Sequence, residues 1–176
     1  MLMAWHQMND MEKMSKITTI AIALLLAGCA NLLRQAPDPG DPAEVVQAKM
    51  GTPTAVYLDG ENRTLEYATG PMGQLTFMAH LGPDGRLTSY EQVLTSEKFA
   101  TIKIDQATRD DVLRTIGRPA ERSRVAMEDY EVWSYRYKEA GVWNSLMHIH
   151  FDARGVVRQM LNAPDPMYEP RDRFGF

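Results

Sequence analysis

The sequence predicts an α+β fold built as two tandem repeats, each with short helices packed on a three- to four-stranded antiparallel sheet. Three observations carry that expectation. A helix-length stretch closing in Gly-x-Pro occurs twice, over 41–53 and 108–119. Strand-like segments follow each copy in the same order, and a turn glycine, Gly85 or Gly155, precedes the last strand of each. The offset between copies drifts from 66 residues at Gly51/Gly117 to 70 at Gly85/Gly155, as insertions in turns would produce.

Taken in order, the first helix opens at Asp41 as N-cap with Pro42 in the first helical position, where a missing N–H costs nothing. Val45, Val46 and Met50 recur at helical spacing. Gly51 then offers the left-handed conformation that ends helices, and Pro53 forbids continuation. In the second copy Thr108 is the N-cap, Asp111 stands three residues on, and Val112, Leu113 and Ile116 form the apolar face before Gly117 and Pro119. Segments 55–58, 64–68, 75–81 and 87–90 read as strands of the first unit, with Asp59-Gly60-Glu61-Asn62 and Asp84-Gly85 as turns. Segments 123–126, 131–137, 146–151 and 156–160 match them in the second. The joint, 91–104, continues a strand and enters a short helix capped by Thr95 or Ser96, with Phe99 and Ile102 placed to plug the space between units.

The two ends have a different character. Lys13 and Lys16 precede an apolar run from Ile17 to Gly28, the pattern of a secretory signal peptide. The run falls short of the ~20 apolar residues a spanning helix needs. Met11 or Met14 would give a more usual start, so the first residues are set aside from the fold. Residues 29–42, with Pro37, Pro39, Gly40 and Pro42, read as a flexible tether, and 163–176, with three prolines and no periodicity, as a flexible tail. The chain thus divides into a signal peptide (1–28), a tether (29–42), a degenerate first unit (43–94), a second unit (95–162) and a tail (163–176). Removing 1–28 takes away Asp10, Glu12, Lys13 and Lys16, so the net charge stays at −4. Such mild acidity offers neither a nucleic-acid footprint nor a polybasic membrane patch.

Two resemblances follow from quoted residues. Leu26-Ala27-Gly28-Cys29 resembles the lipobox of bacterial lipoproteins, and Cys29 is the only cysteine of the chain. The resemblance implies cleavage between Gly28 and Cys29, S-diacylglycerol and N-palmitoyl groups on Cys29, and, with Ala30 in place of Asp, delivery to the periplasmic face of the outer membrane. Phe99-Ala100-Thr101-Ile102, the 108–119 helix, Trp133-Ser134-Tyr135-Arg136-Tyr137 and Ile149-His150-Phe151-Asp152-Ala153-Arg154-Gly155 resemble the SmpA/OmlA (BamE-like) family of outer-membrane lipoproteins. That likeness covers 95–162 well and 41–94 loosely. It implies two helices on an antiparallel sheet, in tandem as in the β-lactamase-inhibitor-like fold, and partners in the β-barrel assembly machinery. The chain departs from the family in having two units and in reading Ile104-Asp105-Gln106-Ala107 before the second-unit helix.

No catalytic constellation, cofactor site or metal site stands out. His148 and His150 share one face of a strand, and His80 occupies the place of His150 in the first repeat, but no cysteine or acidic pair lies near to complete a zinc site. Ser123, Ser134 and Ser145 lack a nucleophile-elbow context, and Gly70-Pro71-Met72-Gly73 is a turn with no Lys-Ser/Thr after it. The aromatic set is the remaining candidate. Trp133, Tyr135 and Tyr137 share one strand face, either core beneath the helices or, with Trp143, a partner-binding surface. Three functions are therefore carried forward: a non-enzymatic, lipid-anchored protein-binding module, an inhibitor or sensor module of the periplasm, and a metal enzyme centred on His80, His148 and His150.

Overall fold

A computed structural model describes residues 36–125 and 129–169. The signal peptide, Cys29 and its cleavage site, and the first part of the tether lie outside these residues. The described chain is α+β with two four-stranded antiparallel sheets and three short helices. Helix α1 (Ala43–Met50) leads into β1 (Ala55–Asp59), β2 (Asn62–Ala68), β3 (Thr76–Leu81) and β4 (Leu87–Gln92), which pair in sequence order. Helices α2 (Ser96–Thr101) and α3 (Arg109–Ile116) lead into β5 (Glu121–Val125), β6 (Tyr130–Glu139), β7 (Trp143–Phe151) and β8 (Val157–Pro164), paired the same way. Among the described residues no helix is long and apolar enough to cross a membrane.

The two units share backbone hydrogen bonds at equivalent positions. Gly51 and Gly117 close their helices at φ/ψ of 88/−162° and 81/−163°. The Ala43 amide donates to Gly85 O at 3.1 Å, and the Arg109 amide to Gly155 O at 3.0 Å. Leu87 N to Asp41 O and Val157 N to Ala107 O are each 2.8 Å. Thr54 N to Glu66 O (2.7 Å) matches Ala120 N to Ser134 O (2.9 Å). Each sheet also carries one bulge, at His80/Leu81 and at His150/Phe151. Gly85 and Gly155 have φ of 74° and 82°, the left-handed region the turn requires.

Each sheet buries one face under its own helix. Leu65, Tyr67, Ala79, Leu81 and Leu87 pack on Ala43 and Val46 of α1. Trp133, Tyr135, Tyr137, Ile149, Phe151 and Val157 pack on Phe99 and Ile102 and on Val112 and Ile116 of α3. The capping box at Thr108 and Asp111 is present, and Thr95 caps α2. The cap of α1 is shifted by one residue: Pro42 stands at N-cap, while Asp41 accepts the Asp38 amide and pairs with Lys49 at 2.8 Å.

Residues 37–42 of the expected tether and 163–168 of the expected tail are built onto the sheets. From Pro37, which is buried, the chain lies along the first sheet, with Gly40 N donating to Leu87 O at 2.7 Å and Arg86 Nη1 to Gly40 O at 2.8 Å. At the other end β8 continues to Pro164, and residues 165–168 form a turn anchored by Asp165. Prolines misled here because they were read as solvent-exposed spacers, whereas both segments find backbone partners in the sheets.

Asp152 staples the β7–β8 turn. Its Oδ1 accepts the Arg154 and Val156 amides at 2.9 and 3.0 Å, and its Oδ2 accepts Arg158 Nε and Nη2 at 2.9 and 2.8 Å. The Val156 amide first, and then Arg158, hold the carboxyl at about 2, below its ordinary 3.8. A depressed carboxyl pKa stabilises the fold above the unfolded value and loses that contribution as pH falls through the folded one. A carboxyl NMR titration is therefore expected to place the Asp152 midpoint near 2, and Arg158→Ala to move it up toward 3.8. A wild-type midpoint at 3.8 would show that the staple is open in solution.

Candidate functional site

Of the four aromatic residues singled out as a partner surface, the structure removes three. Trp133 is 2% exposed and Tyr135 and Tyr137 are 1% exposed, all within the second core. Phe99 of α2 meets Tyr137 and Tyr135 edge-on at 4.8 and 6.1 Å, and Trp133 lies 4.7 Å from Phe151. Their polar atoms are also used: Trp133 Nε1 donates to Glu131, Tyr135 Oη to Gly117 O and Tyr137 Oη to Asn162. The shared strand parity was correct, but that face is the one beneath the helices. Trp143 is different. It is 69% exposed at the start of β7.

Trp143 does not stand alone. Val142 beside it, Met72 and Leu75 of the β2–β3 loop, and Met167 and Tyr168 after β8 are all exposed apolar residues. Hydrogen bonds bring these three chain segments to one end of the molecule. Gln74 Nε2 donates to Asn144 Oδ1 at 3.0 Å, joining the loop to β7. Arg136 Nε donates to Pro71 O at 3.2 Å, and Arg136 Nη1 pairs with the Asp165 carboxylate. The Asp165 amide donates to Asn144 O at 3.0 Å, and Asp165 in turn accepts the Met167 and Tyr168 amides. A groove of about 460 Å³ opens beside the group, lined by Leu75, Leu94, Ser96, Lys138, Ala140 and Gly141. Exposed Trp, Tyr and Met side chains are what protein interfaces concentrate, and here three neighbouring segments carry them. Met72 carried a readable signal, an apolar side chain at the tip of a Gly-Pro-x-Gly turn, where nothing in the core asks for it.

Behind this end lies the junction of the two units. Glu66 of β2 is fully buried on the face of the first sheet opposite α1. Its carboxylate accepts Tyr57 Oη at 2.5 Å, Thr54 Oγ1 at 3.0 Å and the Arg118 amide, just past α3, at 3.2 Å. Burial first, and then the Glu66 carboxylate, push the Tyr57 phenol well above its usual range, so it stays a neutral donor. Arg114 Nη1 adds a bond to Leu58 O at 2.8 Å, filling an edge carbonyl of β1. A cavity of about 240 Å³ at this junction shares Pro71 and Arg136 with the apolar end.

The three histidines do not converge. His80 Nδ1 lies 3.0 Å from Thr64 Oγ1 and its Nε2 lies 3.3 Å from Glu91, all on the first sheet. His148 Nδ1 is 2.8 Å from Ser134 Oγ on the second sheet, and His150 meets Tyr130 edge-on. Among the described residues no group of three His, Cys, Asp or Glu is placed to hold a metal ion. Ser134 and His148 form a hydroxyl–imidazole pair, but no described carboxylate orients the ring.

No protein-family model matches the chain, and no curated protein does. Among solved structures, a DUF4309 family protein, YjgB, from Bacillus subtilis is similar at a TM-score of 0.31 and 15% identity, over 71% of this chain and 79% of that one. A likeness at that level carries no argument about function.

Proposed function

We propose that the protein is a lipid-anchored lipoprotein of the periplasmic face of the outer membrane that acts as a non-enzymatic protein-binding module. On this reading its tandem units take the BamE-like, β-lactamase-inhibitor-like form, and its role is accessory to β-barrel assembly in the envelope. One observation carries it: Trp143, Val142, Met72, Met167 and Tyr168 are exposed apolar residues on three segments that hydrogen bonds tie to one end of the second sheet. The lipobox-like Leu26-Ala27-Gly28-Cys29 supports the anchor, and the likeness of 95–162 to SmpA/OmlA sequences supports the class of partner.

The test is in-cell crosslinking of the full chain, mild solubilisation of membranes, and identification of captured proteins by mass spectrometry. β-Barrel assembly components are expected in the wild-type capture. Trp143→Ala is expected to lower their recovery at least tenfold, since a central Trp in an interface is typically worth about 2 kcal/mol or more. Capture of a periplasmic enzyme in their place would move the protein to the inhibitor reading. Recovery unchanged by Trp143→Ala would remove this surface from the function.

A further inference from the structure

The apolar end is composed of segments that no hydrophobic core holds. Neither core cluster contains a residue from 69–75, from 140–144 or from 161–169. What fixes these segments is polar, and one ion pair touches all three. Arg136, 14% exposed at its side chain, and Asp165, 0% exposed, form an ion pair removed from solvent. Arg136 also reaches Pro71 O in the first unit, while Asp165 reaches Asn144 O through its amide and Met167 N through its Oδ1. The pair is thus the node at which the β2–β3 loop, the start of β7 and the C-terminal segment meet.

We infer that Asp165 is a positioning residue for the docking surface: its pair with Arg136 latches the β2–β3 loop and the C-terminal segment to the end of the second sheet where Trp143 is exposed. The inference rests on the docking function proposed above for that face. The physical reason is the cost structure of a buried ion pair. Taking both charges out of water adds little net stability, but losing one partner leaves the other buried without compensation, so the surrounding segments move until it finds water. Such a pair stabilises the chain weakly and specifies geometry strongly. The β8 ladder uses the Asp165 amide, which bonds Asn144 O, but not its carboxylate. Asp165 Oδ2 has no hydrogen-bond partner, so the pair is held on one carboxylate oxygen and its opening frees few other bonds.

Asp165→Asn in the full chain keeps size and an acceptor for the Met167 amide and removes the charge. Hydrogen exchange is expected to accelerate roughly tenfold or more at the amides of 72–75 and 142–145, with β2 and β3 amides such as Leu65 and Ala79 unchanged. Gln74→Ala, which leaves the pair intact, is expected to accelerate exchange in 72–75 and not in 165–168. Crosslinked capture with Asp165→Asn should fall as it does with Trp143→Ala. Unchanged exchange in 72–75, or equal acceleration throughout both sheets, would overturn the latch. If Asp165→Asn loosens the end and capture is indifferent to Trp143→Ala, the latch stands and the docking function fails.

Discussion

Glu66→Ala is expected to destabilise the chain by about 3–5 kcal/mol, measured by urea unfolding. The carboxylate is fully buried and takes three donors. Thr54 Oγ1 keeps a second acceptor in Glu66 O at 3.1 Å, which alanine would retain. Half-buried Tyr57 Oη and the Arg118 amide would lose theirs, and a donor orphaned away from water costs about 1–3 kcal/mol. The cavity left by the side chain adds to this. Glu66→Gln retains one acceptor oxygen and is expected to cost less than half as much. The neighbouring Gly117 gives a second handle. A Cβ there would stand 2.9 Å from the Glu66 carboxyl carbon and 3.1 Å from Thr76 Cγ2, at a φ of +81°. Gly117→Ala therefore carries a clash and, at φ/ψ of 81/−163°, a backbone strain of about 1–3 kcal/mol. In the Glu66→Ala background much of the clash is gone while the strain remains, so the two substitutions should be less than additive. A Glu66→Ala loss below about 1 kcal/mol would mean that water enters the junction and satisfies both donors.

That junction marks where sequence reading stops. Glu66 sits in Thr64-Leu65-Glu66-Tyr67, an alternation that reads as a strand with one wet face. Within a single unit that reading holds: Leu65 and Tyr67 face α1, and Glu66 faces away. Only the second unit, presenting Gly117 and Arg118, buries it, and no local pattern announces a contact between residues 52 positions apart. The repeat itself was legible because its parts are local. Gly-x-Pro, the capping box and the turn glycines each constrain a few neighbouring residues, and their order did the rest. Parity placed Trp133, Tyr135 and Tyr137 on one face, yet parity cannot tell which face a helix will cover. Asp165 escaped notice for the reason Glu66 did. Its partner Arg136 lies 29 residues away, and the prolines around Asp165 suggested a tail.

Cys29→Ala is expected to move the protein from the membrane fraction entirely to the soluble fraction, or to leave it as uncleaved precursor. On the proposed lipoprotein reading, attachment is by acyl chains on Cys29, at about 0.8 kcal/mol per buried methylene, so two chains hold and none does not. The net charge of −4 adds no attraction to anionic lipid. The exposed end around Trp143 is built from residues 69–75, 140–144 and 165–168, so the released protein should keep that surface and bind a purified partner as before. In the cell it should nevertheless lose capture, because leaving the membrane lowers its effective concentration near a membrane-bound partner. Trp143→Ala should show the converse: full membrane association and lost capture, both in the cell and with the purified partner. Fractionation and capture on the two variants together therefore separate anchor from docking surface. Cys29→Ala still cleaved and membrane-bound would overturn the lipoprotein proposal and leave the docking surface to be tested by itself.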